Sequence, residues 1–317
     1  MQAKSFIATW GLLVSVALLW SLPSAGDASG PKTRELTCSP EKTIGDELRK
    51  LDPGDTLLVS GVCSENVVVP EEIHRITLDG QGTATINGPD ATRASVQVRG
   101  RGITVKNFTL TGGQDGIHVT RGGTALIESN IIQFTGGHGV LVNQDSSARI
   151  INNTIENNPG FGILVNDNSS ARVGVLTGDD TVANPNSIQN NGEGGISVTR
   201  SSNARIVGNT ISNNTASGVA VNRGSHADIA SNTINNNAGQ GIFVTRNSGV
   251  NLGDDAGTGI FESPNSTTVN NGFFGIVCRI NSYADGRRGS LNGNSGTFSF
   301  DTTVGTPNGG CVNSTNP

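Results

Sequence analysis

Three arginines, Arg200, Arg223 and Arg246, recur at intervals of 23 residues. Guanidinium groups grip carboxylate or sulfate in bidentate fashion, and like charges held close repel unless an anion lies among them. If the fold stacks these side chains they form a strip for an anionic ligand. If it splays them they are solvated turn residues paired with nearby acids. Asp115 and His138 are also 23 residues apart, with His118 close by in the chain. A carboxylate beside an imidazole shifts its protonation and poises it as acid or base. Asp115 and His138 are therefore candidate catalytic residues, with Arg223 as the accompanying cation. Two paired acids, Asp179-Asp180 and Asp254-Asp255, each follow a glycine. Their oxygens would suit calcium, and the competing reading is two related turns in which Gly and Asp make the bend.

What must position these residues is a repeat. The glycine of a Gly-aliphatic-x-Val motif falls at 116, 139, 162, 195, 218, 241 and 275, so the steps are 23, 23, 33, 23, 23 and 34. Two units thus carry insertions, near 174–186 and 251–266. An Asn column (Asn107, Asn130, Asn153, Asn186, Asn209, Asn232) and an Ala column (Ala125, Ala148, Ala171, Ala204, Ala227) keep the same steps. Within a unit the period is two: Ile163 and Val165 face one way and Leu164 the other. Three short strands joined by Gly/Asn/Ser turns fill 23 residues and leave no room for a helix. A period of this length with this strand content predicts an all-β parallel β-solenoid of about ten coils. Coils then stack about 4.8 Å apart, and each column becomes a ladder. The Asn column is expected at turns, where Asn tolerates left-handed backbone and can bond its neighbours above and below.

The units Ala148-Arg-Ile-Ile-Asn-Asn-Thr-Ile…Gly-Ile-Leu-Val and Ala204-Arg-Ile-Val-Gly-Asn-Thr-Ile…Gly-Val-Ala-Val resemble the right-handed parallel β-helix repeats of the pectin-lyase-like superfamily. The resemblance covers roughly residues 55–300. It implies a right-handed coil, an N-terminal capping helix, and action on acidic polysaccharide. Thr43 to Leu51 supply that helix, with Ile44, Leu48 and Leu51 on one face, Thr43 as N-cap and Pro53-Gly54 as stop. The organisation read from this is a leader at 1–26, a cap at 27–54, coils at 55–290 and a C-terminal cap or tail at 291–317.

Gln114-Asp115-Gly116 and Gly137-His138-Gly139 are similar in spacing to motifs of polygalacturonases. The second acid of that pattern is replaced by Gly116, and its Asn-Thr-Asp and Arg-Ile-Lys partners are missing. A hydrolase of that kind needs two carboxylates about the scissile bond. The Asp-Pro-His-Asp string of alginate epimerases is also missing; the nearest, Asp52-Pro-Gly-Asp55, lacks the histidine. The resemblance makes Arg200, Arg223 and Arg246 candidate substrate-binding residues and Phe243 a candidate sugar-stacking platform.

Lys4 precedes an apolar run from Phe6 to Trp20, followed by Pro23-Ser24-Ala25-Gly26. A positive start, a short apolar stretch and small residues read as a secretory signal peptide. The run is shorter than the roughly 20 residues that span a bilayer, so no membrane span is expected after cleavage. The expected location is secreted, periplasmic or cell-surface. An even number of cysteines in an exported chain suggests two disulfides. Four cysteines allow three pairings, of which Cys38–Cys63 with Cys278–Cys311 is local in sequence and would staple the two ends. A net charge of −5 and the lack of a basic run argue against nucleic acid.

Two functions from different classes follow. One is a carbohydrate-binding or surface-structural protein of the cell envelope or extracellular space, which the missing motifs favour. The alternative is a lyase, epimerase or hydrolase acting on a uronate polysaccharide.

Overall fold

The computed structural model describes residues 30–177, 181–253 and 263–300, the side chains of 298–300 excepted. From Pro31 onward they wind into a parallel β-solenoid of three sheets. The first sheet has 11 strands, the second 8 and the third 10. A regular coil contributes one strand to each sheet in turn, as in Thr124–Glu128, Ile131–Gln133 and Val140–Val142. The next coil pairs in strict register: Ala125 faces Ala148, Ile132 faces Ile155 and Val140 faces Ile163. The expected period-two pattern and ladder stacking are both present, and the number of turns is about eleven, one more than the repeats indicate.

Inward columns of Ile and Val are fully buried, including Ile127, Ile150, Val165, Ile206 and Ile229. Each such side chain contributes about 1.5–3 kcal/mol by leaving water. Parallel pairing keeps like beside like, so one β-branched size fits every layer. The motif glycines open a corner: a Cβ on Gly195 would collide with Ile211 and with the carbonyl of Gly218 in the next coil.

The corners are held by polar ladders. Asn209 accepts from the backbone N–H of Asn186 at 3.0 Å and from its amide at 2.8 Å. Its own amide donates to Val173 O and to Asn232 Oδ1, at 2.9 and 3.1 Å. A second Asn ladder runs through Asn158, Asn191, Asn214 and Asn237 between the second and third sheets. Buried amides are costly unless bonded, and here each amide bonds both its neighbours and the backbone.

Two details differ from the sequence reading. The ladder asparagines are buried and do not hold left-handed backbone; the residue before them does so at Ser129, Asn152, Gly208 and Ser231, whereas Pro185 precedes Asn186. Asn107, at φ 60°, occupies that preceding position, and Phe108 fills the ladder slot, its N–H donating to Asn130 Oδ1. The short helix Ile44–Leu48 is capped by Thr43, as expected, and Glu65 adds a second cap by accepting from the N–H groups of Ile44 and Gly45. Ahead of it, Thr33–Thr37 pairs with Thr56–Ser60 and adds a strand to the first sheet, because Leu36 has a core position to fill.

Cys38 and Cys63 form a disulfide with Cα atoms 5.1 Å apart. Cys278 is not free, and its expected partner Cys311 lies outside the described residues. Gly296–Phe300 adds a strand to the third sheet beside Phe274–Arg279. Residues 1–29, the expected leader, also lie outside the described residues. No helix among the described residues is long and apolar enough to cross a membrane.

Candidate functional site

The outward face of the first sheet departs most from the repeat. One residue after each column alanine come Leu126, Arg149, Arg172, Arg205 and Asp228, paired strand to strand. Adjacent guanidinium Cα atoms therefore lie about 4.8 Å apart. A groove of about 770 Å³ runs over them, from Gly102 to Asp228. Arg205 Nε lies 3.5 Å from Asp228 Oδ2. Arg149 and Arg172 form no ion pair among the described residues, so two cations face the groove uncompensated.

At one end of the groove four side chains meet. His226 Nε2 is 3.3 Å from Asp228 Oδ1, and the Asn251 amide nitrogen is 3.0 Å from the same oxygen and 3.2 Å from Nε2. With the proton on His226 Nε2 the carboxylate accepts from both groups and Nδ1 is an acceptor. Tyr283 Oη stands 3.4 Å from that Nδ1. Tyr283 reaches back over a strand because Gly249 lies beneath it; a Cβ there would collide with the ring. His226 and Asp228 keep 35% and 20% side-chain exposure, enough for a ligand to touch them.

Burial works to raise the Asp228 carboxyl. Hydrogen bonds from His226 and Asn251, with the charges of His226 and Arg205, outweigh it and hold the group below the usual carboxylate range. Asp228 is thus an anion that orients an imidazole. The imidazole in turn faces a phenol, with the linkage of an acid–base relay.

The other candidate residues are arranged differently. Asp115 is buried and accepts from the backbone N–H of His138 at 3.0 Å. His138 Nδ1 accepts from the backbone N–H of Phe161 at 2.9 Å, and its ring stacks on Phe161. Asp115 and His138 are neighbours on adjacent coils, but each points along the rod to the next backbone, and no contact joins the two side chains.

Arg200, Arg223 and Arg246 lie on the corner that leads from the third sheet into the first, each in left-handed backbone at φ 53–56° and exposed. Arg200 pairs with Asp167 at 3.2 Å; Arg223 and Arg246 make no ion pair among the described residues. Arg223 precedes His226 by three residues, so this corner borders the groove. Phe243 sits on the outward face of the third sheet with the Arg279 guanidinium 6.0 Å from its ring centre.

The insertions leave from the opposite edge of the first sheet, after Val173 and Leu252. Asp179, Asp180, Asp254 and Asp255 lie outside the described residues. Among the described residues the one grouping with metal-ligand character is Cys38, Cys63 and Glu65. Its sulfurs are joined to each other and its carboxylate caps the helix, so it offers a cation little.

A family model described as the right-handed beta helix region matches residues 94–252 and again 165–295. The chain belongs to the right-handed β-helix family. Solved structures similar to this β-helix include pectate lyase Pel9A, with a TM-score of 0.59 at 14% identity over 86% of this chain and 82% of that one. A point mutant of the periplasmic alginate epimerase AlgG gives 0.55 at 13%, over 86% and 71%. The A-module of the Azotobacter vinelandii mannuronan C-5 epimerase AlgE6 gives 0.50 at 15%, over 86% and 90%. Identities this low show a shared fold and no more. No curated protein matches the chain in sequence.

Sequence reasoning missed the His226 cluster because neither of its two columns repeats a residue type: His226, Gly249 and Tyr283 succeed one another in one, Asp228 and Asn251 in the other. One signal was available. The residue after each column alanine turns from Leu to three arginines and then to Asp, and that run marks the groove.

Proposed function

We propose that this β-helix binds an acidic polysaccharide along the outward face of its first sheet and acts on the uronate chain as a lyase or epimerase. The observation that carries the reading is the His226–Asp228–Tyr283 constellation at the end of an arginine-lined groove. The fold's likeness to uronate-processing enzymes is in keeping with it. The missing polygalacturonase and epimerase motifs favour a binding protein, but a relay assembled across coils needs none of them.

The chemistry is proton removal beside a carboxylate. Tyr283 Oη passes its proton to His226 Nδ1, and Asp228 stabilises the resulting imidazolium. The phenolate takes the C5 proton of the uronate. Arg172 or Arg149 bonds the sugar carboxylate and stabilises the charge that develops on it. In a lyase the electron pair forms the C4–C5 double bond, the C4–O bond breaks and the leaving oxygen takes a proton from the imidazolium. In an epimerase water delivers a proton to C5 on the other face, and the hydroxide left behind takes the proton of the imidazolium. Arg200, Arg223 and Arg246 add attraction along the rim, and the Asp179-Asp180 and Asp254-Asp255 pairs remain candidate calcium ligands. The apolar N-terminus and the Cys38–Cys63 disulfide support an extracytoplasmic location.

Absorbance at 235 nm with alginate and polygalacturonate reports elimination, and NMR of the residual polymer reports epimerisation. Turnover lost in Tyr283→Phe, with polymer binding kept, is the expected result. Binding without turnover in the wild-type protein would leave a recognition module, and neither binding nor turnover would leave a structural protein.

A further inference from the structure

A second cationic cavity lies at the N-terminal end of the same groove. It measures about 520 Å³ and is lined by Arg75, Arg99, Arg101 and Arg121, with His74 and Glu71. Gly102 lines both cavities, so the two are contiguous. Four arginines face one glutamate, and that acid reaches only Arg121, at 3.7 Å with both groups exposed. An exposed pair of this kind neutralises little. Concentrating like charge without compensation costs stability, and an anionic ligand would relieve that cost.

The guanidiniums are also positioned. Arg99 donates through Nε and Nη2 to Gln97 Oε1, at 3.0 and 2.7 Å, which fixes the plane of its guanidinium at the cavity wall. The Arg75 N–H donates to Arg101 O at 2.8 Å, and Arg75 and Arg121 hold left-handed backbone that turns both side chains off the corner. Arg121 stands in the same corner column as Arg200, Arg223 and Arg246. From the strand that follows Gly102 to the His226 strand there are five steps along the first sheet. At about 4.8 Å per step the separation is roughly 24 Å.

We infer that Arg75, Arg99, Arg101 and Arg121 form a remote anchor for the same acidic chain, gripping carboxylates several sugars away from the reacting residue. The inference rests on the proposed reading of the groove. The anchor holds long chains and is out of reach of short ones, so it sets chain-length preference rather than the rate of the chemical step. Because it grips through charge, it also makes polymer binding steeper in its dependence on salt.

The test compares long-chain polygalacturonate and alginate with their trisaccharides, for the wild-type protein, for Arg75→Ala/Arg101→Ala/Arg121→Ala and for the charge-keeping Arg101→Lys. Kd is measured by calorimetry at two salt concentrations, and turnover is followed alongside. The anchor predicts that the triple variant binds long chains about tenfold or more weakly, with a shallower salt slope. It also predicts unchanged trisaccharide affinity and kcat, and near-wild-type behaviour for Arg101→Lys. Long-chain affinity equal to wild type in the triple variant, with turnover intact, would overturn the anchor and leave the groove reading standing. Failure of the wild-type protein to bind either polymer would overturn both.

Discussion

The molecule holds two His–Asp neighbours, and only one of them is arranged for chemistry. In the first, Asp115 and His138 stand on adjacent coils of one corner column. Each spends an acceptor on the backbone N–H of the coil beyond it. In the second, His226 and Asp228 share a strand face, point to the same side and touch each other, with Asn251 and Tyr283 closing the cluster. The first pair extends the polar ladders that stitch the solenoid, as Ser217 and Gln240 do further along the same column. The second breaks a column of arginines. In a stacked fold proximity is guaranteed for every column, so proximity alone says little. What separates a rung from a site is whether the polar atoms are consumed by the scaffold.

The sharpest way to break this contrast is His226→Ala, expected to lower turnover by about 10²–10⁴-fold while leaving thermal unfolding little changed. His138→Ala, assayed identically, is expected to keep turnover. If the two variants lose activity equally, the distinction fails. Asn209→Ala removes a ladder rung and is expected to cost about 3 kcal/mol in denaturant unfolding, because donors of Asn186 lose their acceptor in the core. His138→Ala is expected to cost about 1–2 kcal/mol through the orphaned Phe161 N–H. Arg172→Ala is expected to weaken polymer binding about tenfold, and the corner variant Arg223→Ala less, since strand arginines face the groove and corner arginines border it.

The Asp228 carboxyl sharpens the comparison by pH. Its native pKa lies below the ordinary value of about 3.9. Its contribution to stability is therefore complete above that value and disappears as pH falls through the native pKa. The stability difference between wild type and Asp228→Asn is expected to be largest near neutrality and to shrink below about pH 4. A difference that grows with acid would contradict the assigned charge.

The fold was legible because a solenoid writes its geometry into a period. A single step of 23, three short alternating stretches and columns of Gly, Ala and Asn leave one architecture. The Asn column was placed one residue off its structural role at Asn107, since a step of 23 there joins a turn residue to a ladder residue. Phe108 to Asn130 is the true rung, a step of 22. The arginines of the corner column stood out because their motif glycine marks them. The groove arginines carried as strong a signal, three in register, but were read as part of the repeat consensus. The steps of 23 and 34 put Tyr283 two coils beyond His226 in one column, but its reach back over Gly249 depends on a missing Cβ, which a period does not show. Repetition reveals what every coil shares, and a site assembled from singular residues is what repetition hides.

Removal of the C5 proton is the event that lyase and epimerase have in common. Polyuronate incubated with the protein in D₂O, followed by ¹H NMR, reads it directly. The account predicts loss of the C5–H signal with wild type and with His138→Ala, and its retention with His226→Ala and Tyr283→Phe. No loss of the C5–H signal with wild type on any polyuronate, or loss that survives in both His226→Ala and Tyr283→Phe, would contradict it.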